Sequence, residues 1–181
     1  MKYRYFMTMK GSKSGEVSQK ANTADSDGTL AVSNYEKKVT LAWFNEGGET
    51  QRSTTGQATG SKVYFPVEVA CQGGTALEAS VRTMFDNGET LDEVVIERYR
   101  QKSDGTNENH FKHTYKKGII TGFKSMCGEE PSELVKSKSG SGDAVRDLDE
   151  ILVINFSFET ADHEAMAASV QASVSRNTAS S

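Results

Sequence analysis

Thr75-Ala76-Leu77-Glu78-Ala79-Ser80-Val81-Arg82-Thr83-Met84-Phe85 is the one stretch of this chain with a helical rhythm. Leu77, Val81 and Met84 recur at i, i+4 and i+7, with Ala76 and Phe85 beside them, so one apolar stripe faces a core. Thr75 followed by Glu78 reads as a capping box, and Asn87-Gly88 ends the helix. Everything around this segment reads as strand.

Working outward, the predicted strands are Tyr3–Met9, a long stretch from Leu30 to Trp43, Val63–Ala70, Asp92–Arg100, His110–Lys116, Ile119–Phe123 and Ile151–Phe158. In the first, Tyr3, Tyr5, Met7 and Met9 alternate with Arg4, Phe6 and Thr8, so both faces carry large apolar groups. Val39, Leu41 and Trp43 are expected to share a face, after a bend or bulge near Asn34. Pro66 cannot donate to a ladder, which puts its strand at an edge or a bulge. In the last strand Leu152, Ile154, Phe156 and Phe158 face one way and Ile151 and Val153 the other, the pattern of a central strand. Gly118 is read as a tight connection between two short strands. The fold class that follows is mainly β: a small antiparallel barrel or two-sheet sandwich, one helix packed on its outside, and long polar loops.

The chain has 181 residues, enough for one domain with a real core. Residues 1–181 are therefore read as a single domain, with 162–181 as a polar, weakly held tail. The formal net charge is −4, which argues against sequence-independent nucleic-acid binding. No apolar run is long enough for a membrane span, and the start lacks the apolar stretch of a signal peptide. The expected location is the cytoplasm on synthesis, with any export performed by a machine. The two cysteines, Cys71 and Cys127, are read as reduced thiols.

Motifs that would carry chemistry fail one by one. Asp25-Ser26-Asp27-Gly28 resembles part of a calcium loop, but Thr23 and Asn34 stand where acids are required. His110 and His113 sit at an odd spacing on a strand, which turns them to opposite faces, and His163 is distant in sequence, so no metal site is expected. Gly60-Ser61-Lys62 lacks the order of a phosphate loop, and no nucleophile elbow is present. Cys127 has no histidine nearby to activate it. No catalytic residue, cofactor or metal is therefore assigned, and the expectation is a non-enzyme. Arg98, Arg100, Lys102, Lys112, Lys116 and Lys117, with Tyr99 and Tyr115 interleaved, form a basic hairpin that either packs on neighbours or stacks on single-stranded nucleic acid.

Two polar segments are longer than connections in compact domains usually are. The first, Asn45 to Lys62, is either a floppy loop or an arm that orders against a neighbouring subunit. Its candidate interface residues are Glu46, Gly47, Gly48, Glu49, Thr50, Gln51, Arg52, Ser53, Thr54, Thr55, Gly56, Gln57 and Lys62. The second runs from Ser125 to Asp149 and contributes Glu129, Glu130, Lys136 and Lys138.

The succession of segments resembles the haemolysin-coregulated protein family, the inner-tube subunits of type VI secretion systems. It runs from the aromatic first strand through Lys10-Gly11-Ser12-Lys13-Ser14-Gly15-Glu16 and Asp27-Gly28 to Val63-Tyr64-Phe65-Pro66-Val67-Glu68-Val69. The helix follows, then Leu91-Asp92-Glu93-Val94-Val95-Ile96-Glu97-Arg98-Tyr99-Arg100, the strand Leu152 to Phe158, and the ending Arg176-Asn177-Thr178-Ala179-Ser180. Its weight lies in the order, since no single motif is specific. The Trp-rich strand of many members is reduced here to Asn34-Tyr35, with Trp43 further on. The resemblance implies a barrel that forms hexameric rings, stacks them into a tube, and meets a spike protein, a contractile sheath and effectors in the lumen. The alternatives are a tube protein of a related phage-tail-like contractile particle, or a monomeric β-barrel binding module acting through Arg98, Lys112 and Lys116.

Overall fold

A computed structural model of the chain describes residues 3–20, 37–128, 150–166 and 170–175. The predicted strand portion at 30–36, the Asp27-Gly28 turn, most of the second polar loop and the ending at 176–181 lie outside these residues. Eleven strands and one helix of more than a turn are described: β1 (Tyr3–Gly11), β2 (Gly15–Glu16), β3 (Val39–Asn45), β4 (Gly48–Arg52), β5 (Ala58–Tyr64), β6 (Val67–Gln72), α1 (Ala76–Asp86), β7 (Thr90–Gln101), β8 (Asn107–Cys127), β9 (Glu150–Ser157), β10 (Thr160–Ala165) and β11 (Val170–Ser175).

Six of these close a barrel. The order β8-β7-β1-β3-β6-β9 is antiparallel at every step, and β9 returns to pair with β8. Closure removes the bare edges that an open sheet would present. β9 is central, as its two apolar faces require. Leu152, Ile154 and Phe156 point into the main core with Met7, Met9, Val69, Ile96 and Tyr115. Ile151 and Val153 face a smaller cluster with Ala42, Trp43 and Ala70.

α1 packs its predicted stripe, Leu77, Val81 and Met84, onto the barrel with no exposed side-chain surface. Phe85 meets Phe123 of β8 edge-on at 5.4 Å, and the Arg82 guanidinium lies over the same ring at 4.9 Å. The helix begins one residue later than expected, with Thr75 as N-cap. The capping box does not close as read. The Thr75 side chain makes no cap hydrogen bond, and Glu78 instead accepts the N–H of Gly74 at 2.9 Å. Glu78 also holds Arg82 at 2.8 Å, an i,i+4 pair on the solvent face.

Four predicted segments are redrawn. The two strands expected on either side of Gly118 are one 21-residue strand, β8. Gly118 is required because its backbone runs against β9, where a Cβ would lie 2.6 Å from the Ser157 carbonyl oxygen. The strand expected over Val63–Ala70 is two, β5 and β6, broken at Phe65-Pro66. Trp43 does not share a face with Leu41. A register shift between them against β6 turns both Ala42 and Trp43 to the outer cluster. There the Trp43 indole N–H donates to Glu68 Oε1 at 2.9 Å. Finally, the polar tail is not loose over 160–165 and 170–175. β10 pairs with β8 and β11 pairs with β10, extending the sheet beyond the barrel.

Candidate assembly surface

The first polar segment has strands of its own. β4 and β5 pair antiparallel from Gly48↔Tyr64 to Arg52↔Ala58 and form a separate two-stranded sheet. Every residue of β4 is exposed. At the tip, Ser53-Thr54-Thr55-Gly56-Gln57 closes on itself. Ser53 N–H donates to the Gln57 carbonyl and Gly56 N–H to the Ser53 carbonyl, both at 2.8 Å, and Gly56 adopts φ 82°. The base is fixed by Phe65 N–H donating to the Gly47 carbonyl at 2.9 Å and by the Tyr64 ring against Phe158 at 6.2 Å.

The structure thus brings Gly48, Glu49, Thr50, Gln51, Arg52 and Lys62 onto one short projecting hairpin, with Ser53 to Gln57 at its end. Isolated two-stranded hairpins are marginal in water, so this one gains from a surface to lie on. Glu129, Glu130, Lys136 and Lys138 lie outside the described residues. Further exposed apolar groups occur at the hairpin base, Phe65 at 46%, and at the start of β11, Val170 at 60%. β11 is the outermost strand of the large sheet among the described residues, and five of its six residues are exposed.

Glu46 differs from its neighbours. Its carboxylate turns back onto the barrel and accepts the Tyr115 hydroxyl at 2.6 Å. Oε2 lies 3.3 Å from His113 Nδ1, and Oε1 lies 3.3 Å from His163 Nε2. The two rings touch directly, Nδ1 to Nδ1, at 2.9 Å. The expectation that His163 is remote from His113 is overturned here. β10 pairs with β8 so that His163 falls opposite His113. Burial works against ionisation of Glu46, but hydrogen bonds from His113 and Tyr115 outweigh it and hold the carboxyl below its usual range. Burial pushes the His113 imidazole down despite Glu46, and burial pushes the Tyr115 phenol up.

The basic hairpin forms as read, from β7 and β8 around Gly105 at φ 84°. Some of its charges are answered: Arg100 and Lys102 both reach Glu108, at 3.4 and 3.5 Å, and Lys117 meets Glu159 at 3.6 Å, while Glu97 pairs with Lys38 from outside the hairpin. Tyr115 is 1% exposed and belongs to the core, so it cannot stack on a base. Both cysteines are free thiols, Cys71 buried in β6 and Cys127 exposed. No described helix is long and apolar enough to cross a membrane.

No protein-family model matches the chain. Over 120 residues it is 29% identical to the "Major exported protein" of Pseudomonas aeruginosa, a match that covers 66% of this chain and 69% of that one. Among solved structures, an Hcp protein superposes with a TM-score of 0.82 at 21% identity, covering 96% of this chain and 97% of the other. The secreted protein Hcp3 from Pseudomonas aeruginosa gives 0.74 at 19% identity, covering 94% and 98%. An Hcp1 variant from Escherichia coli gives 0.72 at 10% identity, covering 95% and 97%. The fold implied by the order of segments is the fold of these Hcp structures.

Proposed function

We propose that this chain, which has the Hcp fold over nearly its whole length, is a tube subunit of a type VI secretion system. In this reading it closes into hexameric rings, the rings stack, and the stack is driven outward by a contractile sheath behind a spike protein, with effectors carried in the lumen. The observation that supports it best is the whole-chain match to Hcp structures, with the projecting β4–β5 hairpin as the second. A closed barrel leaves few places for a partner to engage, and an exposed hairpin with its own edges is one of them. The same patch engaging a different patch on the next copy makes a heterologous contact, which gives a ring when the rotation closes. In this reading the role is structural rather than catalytic.

The test is negative-stain electron microscopy of the purified protein with its mass measured in solution. Six copies of a 19.7 kDa chain come to about 118 kDa. Rings of that mass, or tubes built from them, are the expected result. A monomer that stays single at high concentration and scaffolds no ring in the presence of a spike protein would overturn the reading. The monomeric binding-module reading has less support, because Tyr115, one of the two rings it would stack with, is buried in the core, and Arg100, Lys102 and Lys117 of the basic hairpin are paired with Glu108 and Glu159.

A further inference from the structure

We propose that Glu46, His113 and His163 form a binding site for a first-row divalent transition-metal ion, with Zn²⁺ as its probe. The site is independent of the secretion reading, since it rests only on how β3, β8 and β10 meet. The three residues are far apart in sequence. Glu46 follows directly on β3, His113 lies in the half of β8 that is flanked by β7 and β10, and His163 is opposite it on β10. One ligand atom from each falls within 4.8 Å of the others.

The geometry suits a small, borderline-soft ion. A tetrahedral Zn²⁺ with bonds of about 2.0–2.1 Å holds its donor atoms about 3.3 Å apart. The nearest contacts among these side chains, 2.9, 3.3 and 3.3 Å, involve both nitrogens of His163 and both oxygens of Glu46. One ligand atom from each residue lies within 4.8 Å of the others, so rotation of the His163 ring and the carboxylate brings the three donors to the tetrahedral spacing. Two imidazoles and one carboxylate are a donor set that zinc and other imidazole-seeking metals accept, with a fourth position left open. His113 makes its polar contacts through Nδ1, the atom facing both Glu46 and His163, while its buried Nε2 has no partner.

The surroundings are those of a supported site. The Tyr115 hydroxyl fixes the Glu46 carboxylate from behind, as outer hydrogen bonds fix ligating carboxylates in metal centres. Phe44 and Phe111 flank the His113 ring with centroids 4.9 and 4.7 Å away, and Tyr115 stacks on it at 6.2 Å. Glu46 and His113 also line an open pocket of ≈ 450 Å³, which leaves room for water at the remaining position. Arg98 lines the same pocket and opposes a cation there, but its guanidinium lies over Phe111 at 5.5 Å. The competing explanation is a metal-free hydrogen-bonded network that ties β10 to the barrel.

Full-length protein stripped with a chelator would be titrated with Zn²⁺ against a chromophoric competitor, and with Co²⁺ while visible absorption is followed. The expected result is one ion per chain, with His163→Ala and Glu46→Gln each weakening binding tenfold or more. His110→Ala, on the same strand but outside the cluster, should leave it unchanged. Zn²⁺ should raise the melting temperature of the unaltered protein and of His110→Ala alone. Failure to retain Zn²⁺ or Co²⁺, or binding that survives both His163→Ala and Glu46→Gln, overturns the proposal. Should His163→Ala not fold, Glu46→Gln with Co²⁺ decides it. Ring assembly is scored separately by mass, so losing the metal site leaves the tube reading standing.

Discussion

Glu89 clamps the turn at Ser14: Oε1 accepts the Ser14 N–H and Oε2 the Ser14 hydroxyl, each at 2.7 Å. Oε1 also accepts the Lys13 N–H at 2.7 Å. The two segments are 75 residues apart in sequence, so this carboxylate stitches the end of β1 to the loop after the helix. Gly11 belongs to the same arrangement, because any Cβ there would fall on the Glu89 carboxylate. Burial opposes ionisation of Glu89, but the Ser14 and Lys13 donors overcome it and hold its pKa below the ordinary value.

Glu89→Gln should therefore destabilise the fold by about 1.5–3 kcal/mol, the range for hydrogen bonds to a charged group. The sign of the pH dependence follows from the lowered pKa. The contribution is present above the unfolded carboxylate's pKa and is lost as pH falls through the depressed folded value. Urea unfolding at neutral and acid pH checks it. The gap between the variant and the unaltered protein should narrow under acid conditions, and a gap independent of pH would contradict the clamp.

Shortening the projecting hairpin tests its role without touching the barrel. Thr50 and Lys62 are register partners, so residues 51–61 can be replaced by Asn-Gly while Gly48↔Tyr64 is kept. The shortened chain should keep its far-ultraviolet circular dichroism and melt within a few degrees of the original. Its assembly by sedimentation should weaken. Unaltered assembly would remove the hairpin from the interface.

Gly118→Ala should cost about 1–3 kcal/mol, because the new methyl group meets the Ser157 carbonyl oxygen and Leu91 with nowhere to relax. Thermal melting reads this directly. A neutral result would mean that β8 and β9 are not this close at their crossing.

The thiols offer a test of register. Cys127, exposed near the end of β8, should react with an aromatic disulfide reagent in the native protein. Cys71 is fully buried and hydrogen-bonds weakly to the Leu152 carbonyl, so it should react only on unfolding. Two fast thiols would contradict the pairing of β6 with β9.

Strong periodic patterns were legible in the sequence and weak ones were not. The Leu77, Val81 and Met84 stripe and the two faces of β9 could be read because burial alone decides them. β10 and β11 escaped because their residues are small or polar and they are held by backbone pairing, with Ala161 the one fully buried residue between them. Trp43 was misplaced because a bulge breaks the two-residue period that assigned it. The β4–β5 hairpin has almost no apolar alternation because every residue of β4 is exposed. The Glu46–His113–His163 cluster was illegible in principle. His113 and His163 are 50 residues apart, and only the strand order brings them face to face.

The closing strand of the barrel also sets the order of events as the chain leaves the ribosome. Among the described residues β9 alone links β6 to β8, and it comes after every other barrel strand in the chain. A nascent chain that has reached Cys127 lacks β9, with which its outer barrel strands, β6 and the far half of β8, pair in the finished fold. Such edges recruit other chains, and contacts between distant segments form slowly. The last quarter of the protein thus governs its yield, and a chaperone that occupies those edges until residue 157 emerges would matter more than one acting on the finished subunit.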